Sequence, residues 1–318
     1  MKKKHNFIFH WFSKKFTNKS RKQRSFYFVT AFFVIITLLL LLGLLFRFPG
    51  FLAWRGDLLS EKLNGNFPNA SWYEVGRVLL PQFIISKPLS AKMKERDCIP
   101  CPVLWRTALG SFWGRESDNI ALDTVVIEQI LGFYQQGPVR VRPGDIVFDI
   151  GGHLGTFTRV ALDNGASKVV VFEPEPTNIA CFKKTFPEEL RKGQVILIEL
   201  AAWGAKGVLN FAGGGLTFRH INGEDKPGTT KVQATTIDAV TGELGISRVD
   251  FIKMDIEGSE RHALIGAKNV LSKYGPRLAI CIYHYPDDRV VVPRTILEAR
   301  PSYSRYFSSY QRDCVYYY

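Results

Sequence analysis

From about residue 140 onward, short runs rich in Val, Ile and Phe alternate with stretches whose apolar positions recur at helical spacing. Ile146–Ile150, Lys168–Phe172, Val195–Leu200, Asp250–Met254 and Leu278–Tyr283 read as strands. Helical patterns follow most of them, near 155–163, 176–185 and 258–272. The last sets Ala263, Leu264, Ala267, Val270 and Leu271 on one face. Strand followed by helix, repeated, predicts an α/β fold: a mostly parallel sheet with helices on both faces. The end of the chain, 301–318, is dense in Tyr and Phe and predicts one or two late antiparallel strands. Residues 48 to about 105 have no clean period beyond a helix-like stretch from Trp72 to Leu80, closed by Pro81. They read as a stalk and lead-in.

The N-terminal pattern differs in kind. Phe26 to Phe46 runs without a charge, and twenty-one residues at about 1.5 Å each make a helix of roughly 31 Å, the depth of a bilayer core. That is too long for the apolar core of a cleaved signal peptide, and Arg47-Phe48-Pro49 is a poor cleavage site. Residues 1–24 carry nine basic side chains and no acidic one, interleaved with Phe7, Phe9, Trp11, Phe12 and Phe16. Such a tail suits anionic membrane lipids and places the N-terminus in the cytoplasm.

The chain's net charge of +13 thus belongs mostly to one flank: the remainder has 33 basic against 29 acidic side chains. The excess does not argue for a nucleic-acid partner. With 46% hydrophobic residues the chain is not disordered as a whole. The expected organisation is a basic cytoplasmic tail (1–25), a single-pass transmembrane anchor (26–46), a stalk (47–105) and one enzymatic domain (106–318).

Cys98-Ile99-Pro100-Cys101 is the chain's one CxxC. With no second pair and no His pair at finger spacing, it reads first as two ordinary thiols, then as a local disulfide, and last as a metal or redox site. Cys181, Cys281 and Cys314 lie in apolar surroundings and read as core residues. Asn69-Ala70-Ser71 matches a glycosylation sequon, as does Asn18-Lys19-Ser20 in the tail, so the match carries little weight.

Four strand ends carry the candidate chemistry. The first gives Asp149-Ile150-Gly151-Gly152-His153-Leu154-Gly155-Thr156-Phe157-Thr158. A glycine turn from strand into helix lets backbone approach a nucleotide. Ile150 stands where a dinucleotide fingerprint needs glycine, and Asp149 would repel a pyrophosphate. The turn suits a ligand with a positive centre or an amino group, and S-adenosylmethionine (SAM) has both. His153 is expected to line the nucleotide pocket. Glu173, at the tip of the second strand before Pro174, is placed to take two ribose hydroxyls. In Lys253-Met254-Asp255-Ile256-Glu257, the alternating ionisable residues share a face while the chain stays extended. Glu257 has a second reading as a cap of the following helix. The fifth strand leads into His284, a candidate general base.

Together these residues resemble the FkbM-type SAM-dependent methyltransferases, over about residues 105–318. The resemblance lies in Val147-Phe148-Asp149-Ile150-Gly151-Gly152 with Gly155 and Thr158, then Phe172-Glu173-Pro174 and Thr235-Thr236-Ile237-Asp238. Its most specific block is Asp250-Phe251-Ile252-Lys253-Met254-Asp255-Ile256-Glu257-Gly258-Ser259-Glu260, followed by Leu264 and Gly266. Glu128 and Tyr134 look like the family's lead-in helix beside the cofactor pocket. The resemblance implies a Rossmann-like class I methyltransferase fold with a seven-stranded, mostly parallel sheet. It also implies O-methylation of a sugar, glycan or small-metabolite hydroxyl. Many members carry an acidic residue near the position of Tyr283-His284, where this chain does not.

The expected division of labour follows. Asp149, Gly151, Gly152, His153, Gly155 and Thr158 hold the methionine end of SAM, and Glu173 with Pro174 the ribose. Asp255, Glu257 and His284 orient or deprotonate the acceptor. No metal site is assigned, although Asp255 could hold a divalent ion. A nicotinamide-dependent oxidoreductase and a non-catalytic membrane-tethered module are the alternatives. The side of the membrane that carries the domain stays open. The tail's charge sends the domain out of the cytoplasm, where SAM is made.

Overall fold

The computed structural model describes residues 92–94, 100–213, 219–220, 228–308 and 313–318. The basic tail, the Phe26–Phe46 segment, the Trp72–Leu80 stretch and Cys98 lie outside the described residues. Among the described residues no helix is long and apolar enough to cross a membrane.

A three-stranded lead-in sheet has the order β1 (Lys92–Lys94), β2 (Val103–Thr107), β3 (Gly110–Gly114). Helix α1 (Asn119–Ile130) leads to the main sheet. Its parallel strands are β4 (Ile146–Ile150), β5 (Lys168–Phe172) and β6 (Val195–Ile198), then β11 (Phe251–Met254) and β12 (Arg277–Cys281). Helices α2 (Thr156–Asp163), α3 (Pro176–Thr185) and α4 (Pro187–Arg191) lie between the first three strands.

A second sheet follows β6, made of β7 (Ala201–Ala202), β8 (Gly207–Ala212), β9 (Arg219–His220) and β10 (Thr229–Thr235). Helix α5 (Ile237–Glu243) precedes β11, and α6 (Glu260–Ile265) and α7 (Lys268–Tyr274) follow it. After α8 (Asp288–Ala299), β13 (Arg305–Tyr306) and β14 (Cys314–Tyr317) complete the main sheet as the antiparallel strands expected for the end of the chain.

The seven strands of the main sheet run β13-β14-β12-β11-β4-β5-β6. The chain moves outward from β4 to β6, then returns to place β11 on the other side of β4. That reversal opens a crevice at the C-terminal ends of β4 and β11, where open α/β sheets bind ligands. β4, β5, β11 and β12 are buried almost throughout, as a sheet covered on both faces requires. Their residues alternate between two cores. Val147, Val169, Val171 and Phe251 pack with Phe157, Phe182 and Phe186. Phe148, Val170, Phe172 and Ile252 pack with Ala263, Leu264 and Leu271 on the other face.

Three expectations need correction. The helix expected over 258–272 is two helices, because Gly266 breaks it. A Cβ there would stand 2.1 Å from the Trp203 carbonyl oxygen. The Thr235–Asp238 block serves these helices: Thr236 caps α5, and Asp238 accepts from the Asn269 and Val270 amides at the start of α7. Second, Cys101 is neither an ordinary thiol nor the partner of Cys98. It forms a disulfide with Cys181 of α3, 80 residues away, with Cα atoms 5.5 Å apart. Third, a domain boundary at residue 105 falls inside β2, and Trp105 and Phe112 share one core with Phe182 and Phe186. The disulfide pins this lead-in to α3, and closing an 80-residue loop stabilises by roughly 4–5 kcal/mol in the chain-entropy picture.

Candidate active site

An open cavity of about 840 Å³, including space that communicates with solvent, lies at the C-terminal ends of β4, β5 and β11. Gly151, Gly152, His153, Glu173, Pro174, Asp255 and Glu257 all line it. The strand-end reading therefore brings together residues from three separate stretches of chain.

The glycines are required by close approach. Gly151 has φ +90°, and a Cβ on it would lie 2.1 Å from the Asp255 carbonyl oxygen. A Cβ on Gly152 would lie 2.2 Å from Val171. Both amides donate to the Phe172 carbonyl, at 2.9 and 3.0 Å, which ties the turn to the end of β5. His153 (φ 48°) and Glu257 (φ 55°) are the non-glycine residues with left-handed backbone among the described residues. Both line the cavity, and such strain persists where surrounding structure enforces it, commonly at functional sites.

Glu173 is held rigidly. Its Oε2 accepts from the His153 amide at 2.7 Å, and its Oε1 from the Glu175 amide at 2.9 Å and Asn178 Nδ2 at 3.3 Å. Burial pushes its pKa up to about 7, against the lowering effect of these hydrogen bonds. A carboxylate has about four acceptor sites, so capacity remains for ribose hydroxyls. His153 stays neutral: burial, then Arg115 and Lys253, pull its pKa down to about 3. Both its ring nitrogens are buried without a hydrogen-bond partner.

Asp149 does not reach the cavity. β4 and β11 are in register with Asp149 opposite Lys253, and the two side chains meet at 3.2 Å. Thr158 Oγ1 donates to Asp149 Oδ2 at 2.7 Å, and Lys253 Nζ donates to the Gly151 carbonyl at 2.7 Å. Asp149, Thr158 and Lys253 thus form a buried support beneath the glycine turn, which corrects the expectation that Asp149 and Thr158 touch the cofactor. Gly155 also stands off the cavity. A Cβ there would meet Phe186 at 2.2 Å, so it serves helix packing.

At the other end, Tyr134 Oη donates to Asp255 Oδ2 at 2.6 Å and Tyr283 Oη to Oδ1 at 3.1 Å. Burial first, then the Asp255 charge, raise the pKa of both phenols, so they remain donors. Burial and Asp255 also raise Glu128 to about 7. The N-cap position of the next helix is Ser259, which makes no side-chain cap bond, and Glu260 Oε1 accepts from the Ile256 amide at 2.8 Å.

His284 lies outside the lining, behind Asp255 and Glu257. Burial alone would lower its pKa, but Glu260, then Asp255 and Glu257, outweigh that and raise it to about 9. Its expected role as a base would therefore be exercised from behind the cavity wall, through Asp255 or Glu257, and not in direct contact with an acceptor. Glu260, fully buried in the first turn of α6, was passed over because its partners come together only in the fold.

A parallel sheet with a glycine turn, a rigid carboxylate at the tip of β5 and a polar cavity at the switch point defines a Rossmann-like enzyme with a nucleoside cofactor. Residues 149–302 match the model of the methyltransferase FkbM domain, in line with the resemblance carried by the sequence motifs. The 31-O-demethyl-FK506 methyltransferase FkbM of Streptomyces tacrolimicus is 25% identical over 167 residues, covering 43% of this chain. The chain spans 64% of the length of that relative.

Among solved structures, methyltransferase FkbM of Methylobacillus flagellatus KT is similar over 58% of this chain and 46% of its own, at 22% identity and a TM-score of 0.45. Aeropyrum pernix fibrillarin with natively bound SAM is similar over 61% of this chain and 74% of its own, at 12% identity and a TM-score of 0.37.

The cavity fits the cofactor of this class, S-adenosylmethionine. The orphaned His153 nitrogens and the Gly151–Gly152 turn suit the amino-acid end. Glu173 suits the ribose diol, and Phe172, Ala202 and Phe211 offer apolar wall to a flat base.

Proposed function

We propose that this chain is a membrane-anchored methyltransferase that moves the methyl group of SAM to a hydroxyl of a sugar, glycan or small metabolite. The observation that carries the reading is the division of one cavity into a cofactor end (Gly151, Gly152, Glu173) and a carboxylate end (Asp255, Glu257). The name of the 25%-identical relative, which specifies transfer to an oxygen, supports O-methylation.

When bound, SAM supplies a sulfonium methyl: its C–S bond breaks as the new C–O bond forms, and the electron pair stays on sulfur. The chain must hold the hydroxyl in line and take its proton. Asp255 takes that proton, with its carboxylate fixed in direction by the hydroxyls of Tyr134 and Tyr283. Glu257, on the same wall, orients the acceptor. His284 acts behind them as a positioning residue.

Calorimetric titration with SAM, followed by transfer of labelled methyl to cell-extract fractions, tests the reading. Binding of SAM with base-stable label in a glycan or small-metabolite fraction is expected. Binding of nicotinamide cofactor in place of SAM would move the chain to an oxidoreductase. SAM binding with no transfer to any fraction would leave a tethered binding module.

The anchor is proposed to be Phe26–Phe46, with the N-terminus in the cytoplasm and the domain on the other side. The Cys101–Cys181 disulfide supports that side, because such bonds persist in oxidising compartments and are rare in the cytosol. Protease added to sealed vesicles should spare the domain. Digestion of the domain from the outside of intact microsomes would reverse the topology.

A further inference from the structure

Asn178, in the first turn of α3, lines the cavity beside Glu173 and is buried to 1% exposure. Its amide has two unlike ends. Nδ2 donates to Glu173 Oε1 at 3.3 Å, while Oδ1 accepts from Arg115 Nη2 at 3.0 Å. Turned over, the amide would set Oδ1 against the carboxyl group and Nδ2 against the guanidinium. A guanidinium has donors and no acceptor, so it admits only Oδ1. Glu173 enforces no such choice by itself. With a pKa of about 7, it can accept from Nδ2 when ionised and donate to Oδ1 when protonated. Arg115 decides which end of Asn178 faces the cofactor.

Arg115 is itself held. Nε donates to Asp118 Oδ1 at 3.0 Å, the Arg115 amide donates to Asp118 Oδ2 at 2.7 Å, and Nη1 lies 3.7 Å from Glu175 Oε2. The lead-in sheet that delivers Arg115 is fixed along the length of α3. Arg115 meets its first turn, the Cys101–Cys181 disulfide its middle, and the Trp113 amide donates to Oγ1 of its last residue, Thr185, at 3.0 Å. Arg115 lies upstream of the residues 149–302 that match the family model, on a stretch without a motif of its own.

We propose that Arg115 is a positioning residue of the cofactor site: by holding Asn178 Oδ1 it keeps Nδ2 turned to Glu173, and so keeps that carboxylate aimed at the ribose of SAM. The proposal rests on the reading of Glu173 as the ribose ligand, and it makes the lead-in sheet part of the site. The Asn178 bond favours ionised Glu173, whereas burial and the Glu175 charge oppose it. Loss of Arg115 frees the Asn178 amide and takes a cation from beside Glu175. Both changes move the ionisation of Glu173 to higher pH. Arg115 also lowers the pKa of His153, but burial is the larger cause there.

The test is calorimetric titration of the full chain in detergent with SAM, from about pH 6 to about pH 9. It compares the wild type with Arg115→Met, Asn178→Leu and the double variant. Arg115→Met removes the donors and the charge and keeps much of the side-chain length. SAM affinity at neutral pH should fall by about tenfold, and the pH at which affinity rises should move upward. On the Asn178→Leu background, Arg115→Met should add less than about twofold, because the two side chains act in series. A residue that only stabilises the lead-in sheet would lower the melting temperature, leave the pH profile in place and act alike on both backgrounds.

Wild-type affinity in Arg115→Met would overturn the proposal, and so would a full tenfold loss added to Asn178→Leu. If the melting curve shows Arg115→Met unfolded, Asn178→Leu carries the test alone. The same fall and the same upward shift are expected of it, and unchanged affinity would overturn the proposal. Glu173→Gln separates the proposal from the reading beneath it. Unchanged affinity in Glu173→Gln would remove both the ribose contact and the role of Arg115. A loss in Glu173→Gln with none in Arg115→Met would remove Arg115 alone.

Discussion

The two ends of the cavity are built by different means. At the cofactor end, backbone does most of the work. Gly151 and Gly152 tie to the Phe172 carbonyl, and Glu173 is locked by the amides of His153 and Glu175. These residues lie within about 30 positions of one another, next to two strand ends. At the acceptor end Tyr134, Asp255 and Glu257 line the wall, with Tyr283 and His284 holding Asp255 from behind. The first end is preorganised by local chain geometry. The second depends on balancing several charges that only the fold brings together. A cofactor common to a whole class is met by geometry, and an acceptor particular to one chain by side chains.

That contrast can be broken from either end. The largest effect is expected for Gly151→Ala. Its Cβ would strike the Asp255 carbonyl oxygen at 2.1 Å in a left-handed backbone, so calorimetry should detect no SAM binding and the melting temperature should fall by several degrees. Retained binding would show the turn to be more forgiving than its packing implies.

Next comes Asp255→Asn, which keeps the shape of the acceptor wall and removes the proton acceptor. Turnover should drop by about 10²–10⁴-fold, with SAM affinity changed by less than about threefold. A matching loss of SAM affinity would show that the two ends are not separable.

Glu173→Gln is a smaller change at the cofactor end. SAM affinity should fall by about tenfold, the worth of a hydrogen bond to a charged group. The sign of its pH dependence follows from the raised pKa. Glu173 loses its proton at about 7, and the ionised form has the greater acceptor capacity. Wild-type affinity should therefore rise between pH 6 and pH 8, while Glu173→Gln stays flat. A flat wild-type profile would remove the charge of Glu173 from ribose binding. The smallest effect is expected for Tyr283→Phe, which leaves Tyr134 to hold Asp255; turnover should fall only a few-fold.

Much of the sheet was legible in the chain. Ile146–Ile150 and Lys168–Phe172 form strands with the expected bounds, because buried parallel strands need unbroken runs of large apolar side chains. Gly151, Glu173 and Asp255 were legible as site residues because each directly follows such a run. The second sheet, β7 to β10, was not, since β8 alternates polar and apolar residues weakly and faces solvent in part. Asp149 was misread for a different reason. Its place next to the glycines is equally compatible with pointing into the cavity and pointing beneath it. The choice was made by Lys253, 104 positions away in the chain, sitting opposite it in register.

The sequence by itself determined the alternating α/β layout, the glycine turn and the carboxylates at the strand ends. These depend on hydrophobic period and on backbone freedom, which are local properties. Tertiary structure alone decided which cysteine Cys101 pairs with, where the 258–272 helix breaks, which way Asp149 faces and that His284 lies among the carboxylates of Asp255, Glu257 and Glu260. Each of those is a contact or a field between groups far apart in the chain, and no local pattern encodes the neighbour that sets it.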